Sequence, residues 1–295
     1  MNQIHVLSLT KKLMNITGIN GKVKLNNSYE MPYFGLGVYK SKDGDEVKNA
    51  IHFALKAGYR HIDTASFYKN EEGVGEAIKE SDILREEIFV TSKVWNDDQG
   101  YEGTLKAIDE SLAKLQMDYL DLYLIHWPVP DTLTETWRAM EEIYRSGKAK
   151  AIGLCNCVEH QMDEIIENGT IKPMLLQNEF HPKLVQQNML NYCAERNIQY
   201  EGWSPLMRGQ ILDNEVLKNI AEKYQKSTAQ VVLRWDLQKG VITIPKSVHE
   251  NRIKQNAEIF DFELTEDEVQ QIDDLDNNER TGAHPDHFME HFANK

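Results

Sequence analysis

Short apolar runs rich in β-branched and aromatic residues alternate with longer amphipathic stretches along nearly the whole chain. This alternation is the feature that most constrains the fold. The runs fall at Tyr33 to Val38, Ile62 to Thr64, Glu87 to Thr91, Tyr119 to His126, Lys150 to Leu154, Met174 to Glu179, Gln199 to Trp203 and Gly240 to Pro245. Between them, Glu46 to Ala57 places Val47, Ala50, Ile51, Ala54 and Leu55 near helical spacing. Thr104 to Leu115, Leu133 to Tyr144, Gln187 to Arg196, Asn214 to Tyr224 and Arg252 to Phe260 repeat that pattern. Gly58, Gly147 and Gly169 stand where helix C-caps are expected.

Strands alternating with helices predict an α/β fold with a parallel sheet, either open and doubly wound or closed into a barrel. An open dinucleotide-binding sheet needs G-x-G-x-x-G after its first strand. Gly35-Leu36-Gly37-Val38-Tyr39-Lys40 lacks the third glycine, and no Walker A loop occurs. The expectation is therefore a (β/α)8 TIM barrel. Lys22 to Pro32 reads as a hairpin turning at Asn26-Asn27 and capping the barrel bottom. With 295 residues and no linker-like composition, the expected layout is a flexible extension over residues 1–18 and one barrel domain over residues 19–295. Residues 1–17 lack the continuous apolar stretch of a signal peptide.

The formal net charge of -14 argues against nucleic-acid binding, because an acidic surface repels phosphate backbones. No apolar run approaches the roughly 20 residues that span a bilayer. Three cysteines, Cys155, Cys157 and Cys193, with no C-x-x-C pair, suit a reducing, cytoplasmic compartment.

Barrel strands present their C-terminal ends to the functional face. Polar residues at those ends are Asp63, Lys93, His126, Asn156, Gln177, Glu179 and Lys246. An acid, a cation and an imidazole at successive strand ends suggest a site. Each alone has a structural reading, as a barrel ion pair for Asp63 and Lys93 or as a satisfied histidine beside Trp127-Pro128.

The sequence resembles the aldo-keto reductase superfamily. Gly58-Tyr-Arg-His-Ile-Asp63-Thr-Ala-Ser-Phe-Tyr68-Lys-Asn-Glu71 is similar to its first signature. Val90-Thr-Ser-Lys93-Val-Trp95, Leu124-Ile-His126-Trp-Pro128 and Ile244-Pro-Lys246-Ser247 with Arg252 resemble the others. The resemblance runs from about Val23 to about Gly282, and looks nearest the bacterial branch of diketogluconate and methylglyoxal (glyoxal) reductases. It implies a catalytic tetrad of Asp63, Tyr68, Lys93 and His126, with Tyr68 as general acid. It implies NADPH as cofactor and small aldehydes or ketones as substrates, among them α-dicarbonyls such as methylglyoxal, or keto-sugars. Carbonyl reduction needs a proton donor where negative charge develops on oxygen. A free phenol has a pKa near ~10, so a neighbouring ammonium is expected to lower that of Tyr68. Asp63 is expected to hold Lys93 charged, and His126 to orient the carbonyl.

The resemblance further places a carboxamide on Cys155, Asn156 and Gln177, and the nicotinamide face on Trp203. Ser204 and Leu206 would line the pyrophosphate. Lys246, Ser247 and Arg252 would hold a 2′-phosphate, with Gln255 and Asn256 near the adenine. Tyr39, Trp95 and Trp127, together with His126, would form the substrate wall, and the C-terminal tail from Arg280 would lie over the pocket. Cys155, Cys157, Gly202 and Lys69 depart from the residues commoner in the family (Ser, Phe, Ala and Gly). His284, His287 and His291 in the tail are read as polar residues, with no metal expected. Members of this branch are often monomers. A non-catalytic binding protein on the same fold would be expected to lack a tetrad member. A metal-dependent barrel hydrolase would need ligands on several strand ends.

Overall fold

The computed structural model describes residues 15–293, and their side chains as far as residue 290. Residues 1–14 of the expected extension and the side chain of His291 lie outside the described residues. The backbone N–H groups of Thr17 and Gly18 donate to the Tyr33 hydroxyl at 3.1 and 3.0 Å.

A hairpin of β1 (Lys22–Lys24) and β2 (Glu30–Pro32) precedes the main sheet. Its turn differs from the expected Asn-Asn pair. Leu25 N–H bonds Tyr29 O and Ser28 takes the left-handed conformation (φ 70°), which makes a three-residue loop of the bulge type. The two asparagines instead dock the hairpin. Asn26 donates to Pro173 O at 2.8 Å and Asn27 to Lys150 O at 2.9 Å. Both carbonyls lie at the strand N-terminal end, so the hairpin caps the barrel bottom as expected.

The main sheet is parallel, in chain order: β3 (Leu36–Gly37), β4 (His61–Asp63), β5 (Phe89–Val94), β6 (Leu120–Ile125), β7 (Ala149–Cys155), β8 (Leu175–Glu179), β9 (Gln199–Trp203) and β10 (Ile242–Thr243). Its two edges meet. Gly35 N–H reaches Thr243 O at 3.0 Å, Thr243 N–H reaches Tyr33 O at 3.1 Å, and Gly37 N–H reaches Pro245 O at 3.3 Å. The two glycines permit this closure. A Cβ on Gly35 would lie 2.6 Å from the His61 ring, and one on Gly37 would lie 2.9 Å from Ile244 O. The G-x-G pair thus serves the seam of the barrel.

Amphipathic helices pack outside the strands. Asp45–Lys56, Tyr101–Leu115, Leu133–Ser146, Gln187–Glu195 and Glu215–Tyr224 follow the predicted segments closely. The expected helix Arg252 to Phe260 is instead Glu250–Asn256. Gln230 Nε2 caps the carbonyls of Gln255 and Glu258 there, and Phe260 turns in to meet Phe34 edge-on. Strand β5 starts two residues later than predicted, because Arg85–Glu87 forms a 3-10 turn. Gly147 is left-handed, with φ 80°. Gly169 is not, and it is small because a Cβ there would lie 2.7 Å from Trp137 Nε1.

Further helices carry no clear period in the sequence. Thr228–Gln238 is buried at every position from Gln230 to Gln238, so it lacks a polar face to alternate with an apolar one. Its Ser227/Gln230 capping box was the available signal. Glu71–Glu80 contains Gly73 and Gly75, poor helix formers. Their absent side chains admit neighbouring helices. A Cβ on Gly75 would lie 2.3 Å from Leu115 O, and one on Gly73 2.6 Å from Val47. Gly75→Ala is accordingly expected to cost about 1–3 kcal/mol by overpacking. Urea denaturation checks this, and an unchanged midpoint would contradict the packing described.

Candidate active site

Because the strands are parallel, their polar C-terminal ends converge on one face. Asp63 ends β4, Cys155 ends β7 and Trp203 ends β9. His126 and Asn156 follow β6 and β7 directly, while Lys93 and Gln177 lie inside β5 and β8.

Lys93 is the centre of the cluster, with 0% exposure. Its Nζ donates to Asp63 Oδ1 at 2.7 Å and Oδ2 at 2.8 Å, to Thr64 O at 3.0 Å, and to the Tyr68 hydroxyl at 3.4 Å. Burial alone favours a neutral amine, but the Asp63 carboxylate outweighs it and holds Lys93 above the usual lysine range. Asp63 also accepts from Gln177 Nε2 at 2.8 Å.

Tyr68 ends a 3-10 turn, Ser66–Tyr68. Ser66 Oγ ties that turn to Lys93 O at 3.0 Å. Asn70 pins its far side, accepting from Thr64 Oγ1 and donating to Val38 O and Ser41 O. Lys69 sits in the left-handed region, φ 54° and ψ 38°, which gives the physical reason why glycine is commoner at this position. The expectation that Lys93 leaves Tyr68 with a lowered pKa is corrected. Burial pushes the phenol well above its ordinary value, while Lys93 pulls in the opposite direction without prevailing. Tyr68 is therefore fully protonated at neutral pH.

His126 stands edge-on to Tyr68, Trp95 and Phe67, with ring centroids 5.6, 5.1 and 6.2 Å away. Burial first and Lys93 second hold it well below the ordinary histidine range, so it is a neutral imidazole. Its Nδ1 is buried with no hydrogen-bond partner.

The expected carboxamide-binding residues are brought together, yet they bond one another. Gln177 donates to Asp63 and Glu201, and its Oε1 accepts from Cys155 Sγ at 3.4 Å. Asn156, left-handed at φ 58°, donates to His126 O and Cys155 Sγ and accepts from Trp203 Nε1 at 2.9 Å. A bound carboxamide would have to exchange some of these partners. Cys155 and Cys157 are buried, and burial raises both thiols above the ordinary cysteine range. A Cβ on Gly202 would lie 2.9 Å from Phe180 Cβ.

Ser204 is left-handed (φ 58°) and faces Thr281 Oγ1 at 3.3 Å. Leu206 precedes the turn Met207–Gly209. Lys246 to Asn256 form a strap beyond β10, joined to Gly37 by a bridge at Lys246. Lys246, Arg252 and Gln255 are exposed, while Ser247 and Asn256 are buried. Among the described residues, no carboxylate pairs with Lys246 or Arg252, which leaves two cations open to an anion.

Each of the three aromatics expected at the substrate site meets another ring. The Tyr39 ring lies 4.9 Å from Tyr68. Trp95 stacks on Phe67 at 3.8 Å, and Trp127 stacks on Phe288 of the tail at 5.3 Å. The tail is latched by the buried Glu179, whose Oε1 accepts from Thr281 N and Oγ1 at 2.6 and 2.5 Å. Gly282 then passes so close to Trp203 that a Cβ would lie 2.5 Å from its ring. Among the described residues, no group of three or more His, Cys, Asp or Glu is arranged to hold a metal ion. His284 instead accepts from Asp286 N–H at 3.2 Å.

The sequence model of the Aldo/keto reductase family matches residues 33–277. The chain belongs to the aldo/keto reductase family. It is 57% identical over 273 residues to a glyoxal reductase of Bacillus subtilis, covering 92% of this chain and 99% of that one. It is 45% identical over 270 residues to the methylglyoxal reductase DkgA of Salmonella typhimurium, covering 90% and 97%. A mutant of Gox0644 solved in complex with NADPH superposes with a TM-score of 0.86 at 41% identity, covering 90% and 97%. Family and barrel thus agree with the sequence reading. No helix among the described residues is long and apolar enough to cross a membrane.

Removing Lys93 would leave the Asp63 carboxylate buried and unpaired. Lys93→Met is expected to cost about 3–5 kcal/mol, and adding Asp63→Asn to recover much of that loss. Because the folded state holds the Lys93 proton more tightly than an unfolded chain, the contribution of the pair is intact below pH 10.5 and is lost in stronger alkali. Chemical denaturation of the single and double variants checks this, and a wild-type-like Lys93→Met would contradict it.

Proposed function

We propose that this aldo/keto reductase reduces small aldehydes and ketones to alcohols with NADPH, acting on α-dicarbonyls such as methylglyoxal or on keto-sugars. The observation that carries the reading is the Lys93 ammonium, bonded to both oxygens of Asp63 and 3.4 Å from the Tyr68 hydroxyl. This arrangement gives a protonated phenol with a fixed positive charge beside it. The two named relatives, a glyoxal reductase and a methylglyoxal reductase, support the substrate class.

NADPH supplies a hydride to the carbonyl carbon when bound. Tyr68 gives its proton to the oxygen on which negative charge develops, and the alcohol results. Lys93 stabilises the phenolate left behind. Neutral His126 presents an N–H to the carbonyl oxygen and orients it. General-acid catalysis of this kind contributes typically ~10²–10⁴-fold. Tyr39, Trp95 and Trp127 enclose an apolar approach that suits small carbonyl compounds.

The chain's residues fit a phosphorylated dinucleotide. Lys246 and Arg252 are exposed and unpaired on the strap that also carries Ser247, Gln255 and Asn256, where a 2′-phosphate finds charge-assisted partners. Ser204 and Leu206, just after Trp203 in the chain, are assigned to line the pyrophosphate. Asn156, Gln177 and Cys155 hold the carboxamide by exchanging their present partners. The three free, buried cysteines suit a reducing, cytoplasmic setting, and the reading takes the enzyme as a monomer active in carbonyl detoxification.

Tyr68→Phe is expected to lose at least about 100-fold in kcat for methylglyoxal while NADPH affinity, read by fluorescence titration, changes little. Full turnover in that variant would remove Tyr68 as the acid. Lys246→Ala with Arg252→Ala is expected to weaken NADPH binding at least tenfold while leaving NADH binding within about twofold, since each charge-assisted bond contributes about 1.5–3 kcal/mol. Equal losses for both cofactors would contradict the assignment of the 2′-phosphate.

A further inference from the structure

Beneath Asp63 and Lys93 lies a carboxyl group that the preceding reading does not use. Glu201 is in β9 and has 0% exposure. Its Oε2 accepts from Gln177 Nε2 at 2.8 Å. The same nitrogen donates to Asp63 Oδ2 at 2.8 Å. One amide NH2 thus ties two acids together, with one hydrogen for each. Glu201 Oε1 is buried without a hydrogen-bond partner and faces His61 Nε2 at 3.7 Å.

The charge balance of this cluster determines the state of Glu201. Its one cation, Lys93, is already bonded to both oxygens of Asp63. A second ionised carboxylate would leave a net negative charge in the barrel interior, which is strongly disfavoured. The groups around Glu201 offer no compensation. From β4 these are Asp63 and His61, from β5 Lys93, from β7 the Cys155 thiol, and from β8 the uncharged Gln177. On the other side Glu201 pairs in register with Ile242 of β10, and Asp236, beyond it, is bonded to Thr243 Oγ1 at 2.6 Å. His61 is neutral, since burial and then Lys93 hold it down at about 3.

We propose that Glu201 is a positioning residue held as a neutral carboxylic acid, which shares the Gln177 amide with Asp63 without adding a second charge beside the Asp63–Lys93 pair, and whose ionisation weakens Tyr68 as a proton donor. This rests on Tyr68 being the acid of the reaction. In the neutral form Oε2 accepts from Gln177 and the proton resides on Oε1, 3.7 Å from His61 Nε2, which already meets Thr91 Oγ1 at 3.2 Å. Burial pushes the Glu201 carboxyl up to about 8, with Asp63 acting in the same direction and Gln177 and Lys93 against it. Above that pH Glu201 loses its proton to solvent and a second negative charge appears beside the ion pair. That charge disfavours the Tyr68 phenolate, so the phenol yields its proton less readily.

The experiment is the pH profile of kcat/KM for methylglyoxal reduction, measured for wild type, Glu201→Gln and Tyr68→Phe. The wild-type rate is expected to fall between pH 7 and pH 9 as Glu201 ionises, by up to about tenfold in all. Glutamine copies the protonated acid, with an oxygen toward Gln177 and an NH2 toward His61, but it cannot ionise. In Glu201→Gln the ratio of rates at pH 9 and pH 7 is therefore expected to exceed the wild-type ratio at least about fivefold. An alkaline limb unmoved by the substitution overturns the proposal, and so does a uniform loss at every pH, which is the mark of a purely structural role. If Glu201→Gln does not fold, infrared spectra of wild type with glutamate labelled at its side-chain carboxyl take its place. A protonated glutamic-acid band at neutral pH that disappears through pH 8 supports the proposal, and the absence of such a band overturns it. Tyr68→Phe separates the two layers. If it retains turnover, the reading of the site fails and this inference with it. If it is inactive while the Glu201→Gln limb stays in place, only the inference fails.

Discussion

Everything at the mouth of this barrel depends on one buried ion pair. A fully buried lysine favours its neutral form, and an unpaired buried aspartate is costly. Asp63 and Lys93 stabilise one another at 2.7 Å, and burial makes that coupling strong because no water competes for it. The Lys93 ammonium also reaches Thr64 O and the Tyr68 hydroxyl, its three hydrogens shared among four acceptors. A single ammonium thereby ties β4, β5 and the turn carrying Tyr68 into one unit. Burial, reinforced by that charge, keeps His126 and His61 neutral, which leaves Lys93 as the only cation in the cluster.

The barrel supplies the precision this pair requires. Parallel strands in sequential order bring Asp63, Lys93, His126 and Gln177 to one face without any long-range choice of pairing. Closure depends on close backbone approach at the seam, where Gly35 and Gly37 leave room for the His61 ring and for Ile244 O. The hairpin seals the opposite end through Asn26 and Asn27, and the tail covers part of the mouth through Glu179 and Phe288.

Much of this was legible in the sequence because it is local. The alternation of apolar runs and amphipathic segments marked the strands and the surface helices, and polar residues at strand ends marked the site. What the sequence concealed depends on contacts between distant residues. Thr228–Gln238 has no amphipathic period because it is buried all round, and Glu71–Glu80 is masked by two glycines that exist for helix approach. The protonation of Tyr68 follows from the apolar surroundings of its hydroxyl, which no motif encodes. Gln177 was read only as a cofactor contact, but its amide bridges Asp63 and Glu201. Glu201 itself is an ordinary-looking acid in a strand, and only the closed barrel shows that it faces the ion pair. The Glu179 latch and the stacking of Phe288 on Trp127 likewise needed the tail to be placed.

The proposed chemistry delivers a hydride to a carbonyl carbon and the Tyr68 proton to its oxygen. The most direct measurement is isotope transfer, with NADPH carrying deuterium at both C4 positions of the nicotinamide reacted with methylglyoxal and the product examined by mass spectrometry. One deuterium is expected on the newly formed alcohol carbon for each NADPH oxidised. Bound NADPH with no labelled alcohol would contradict it.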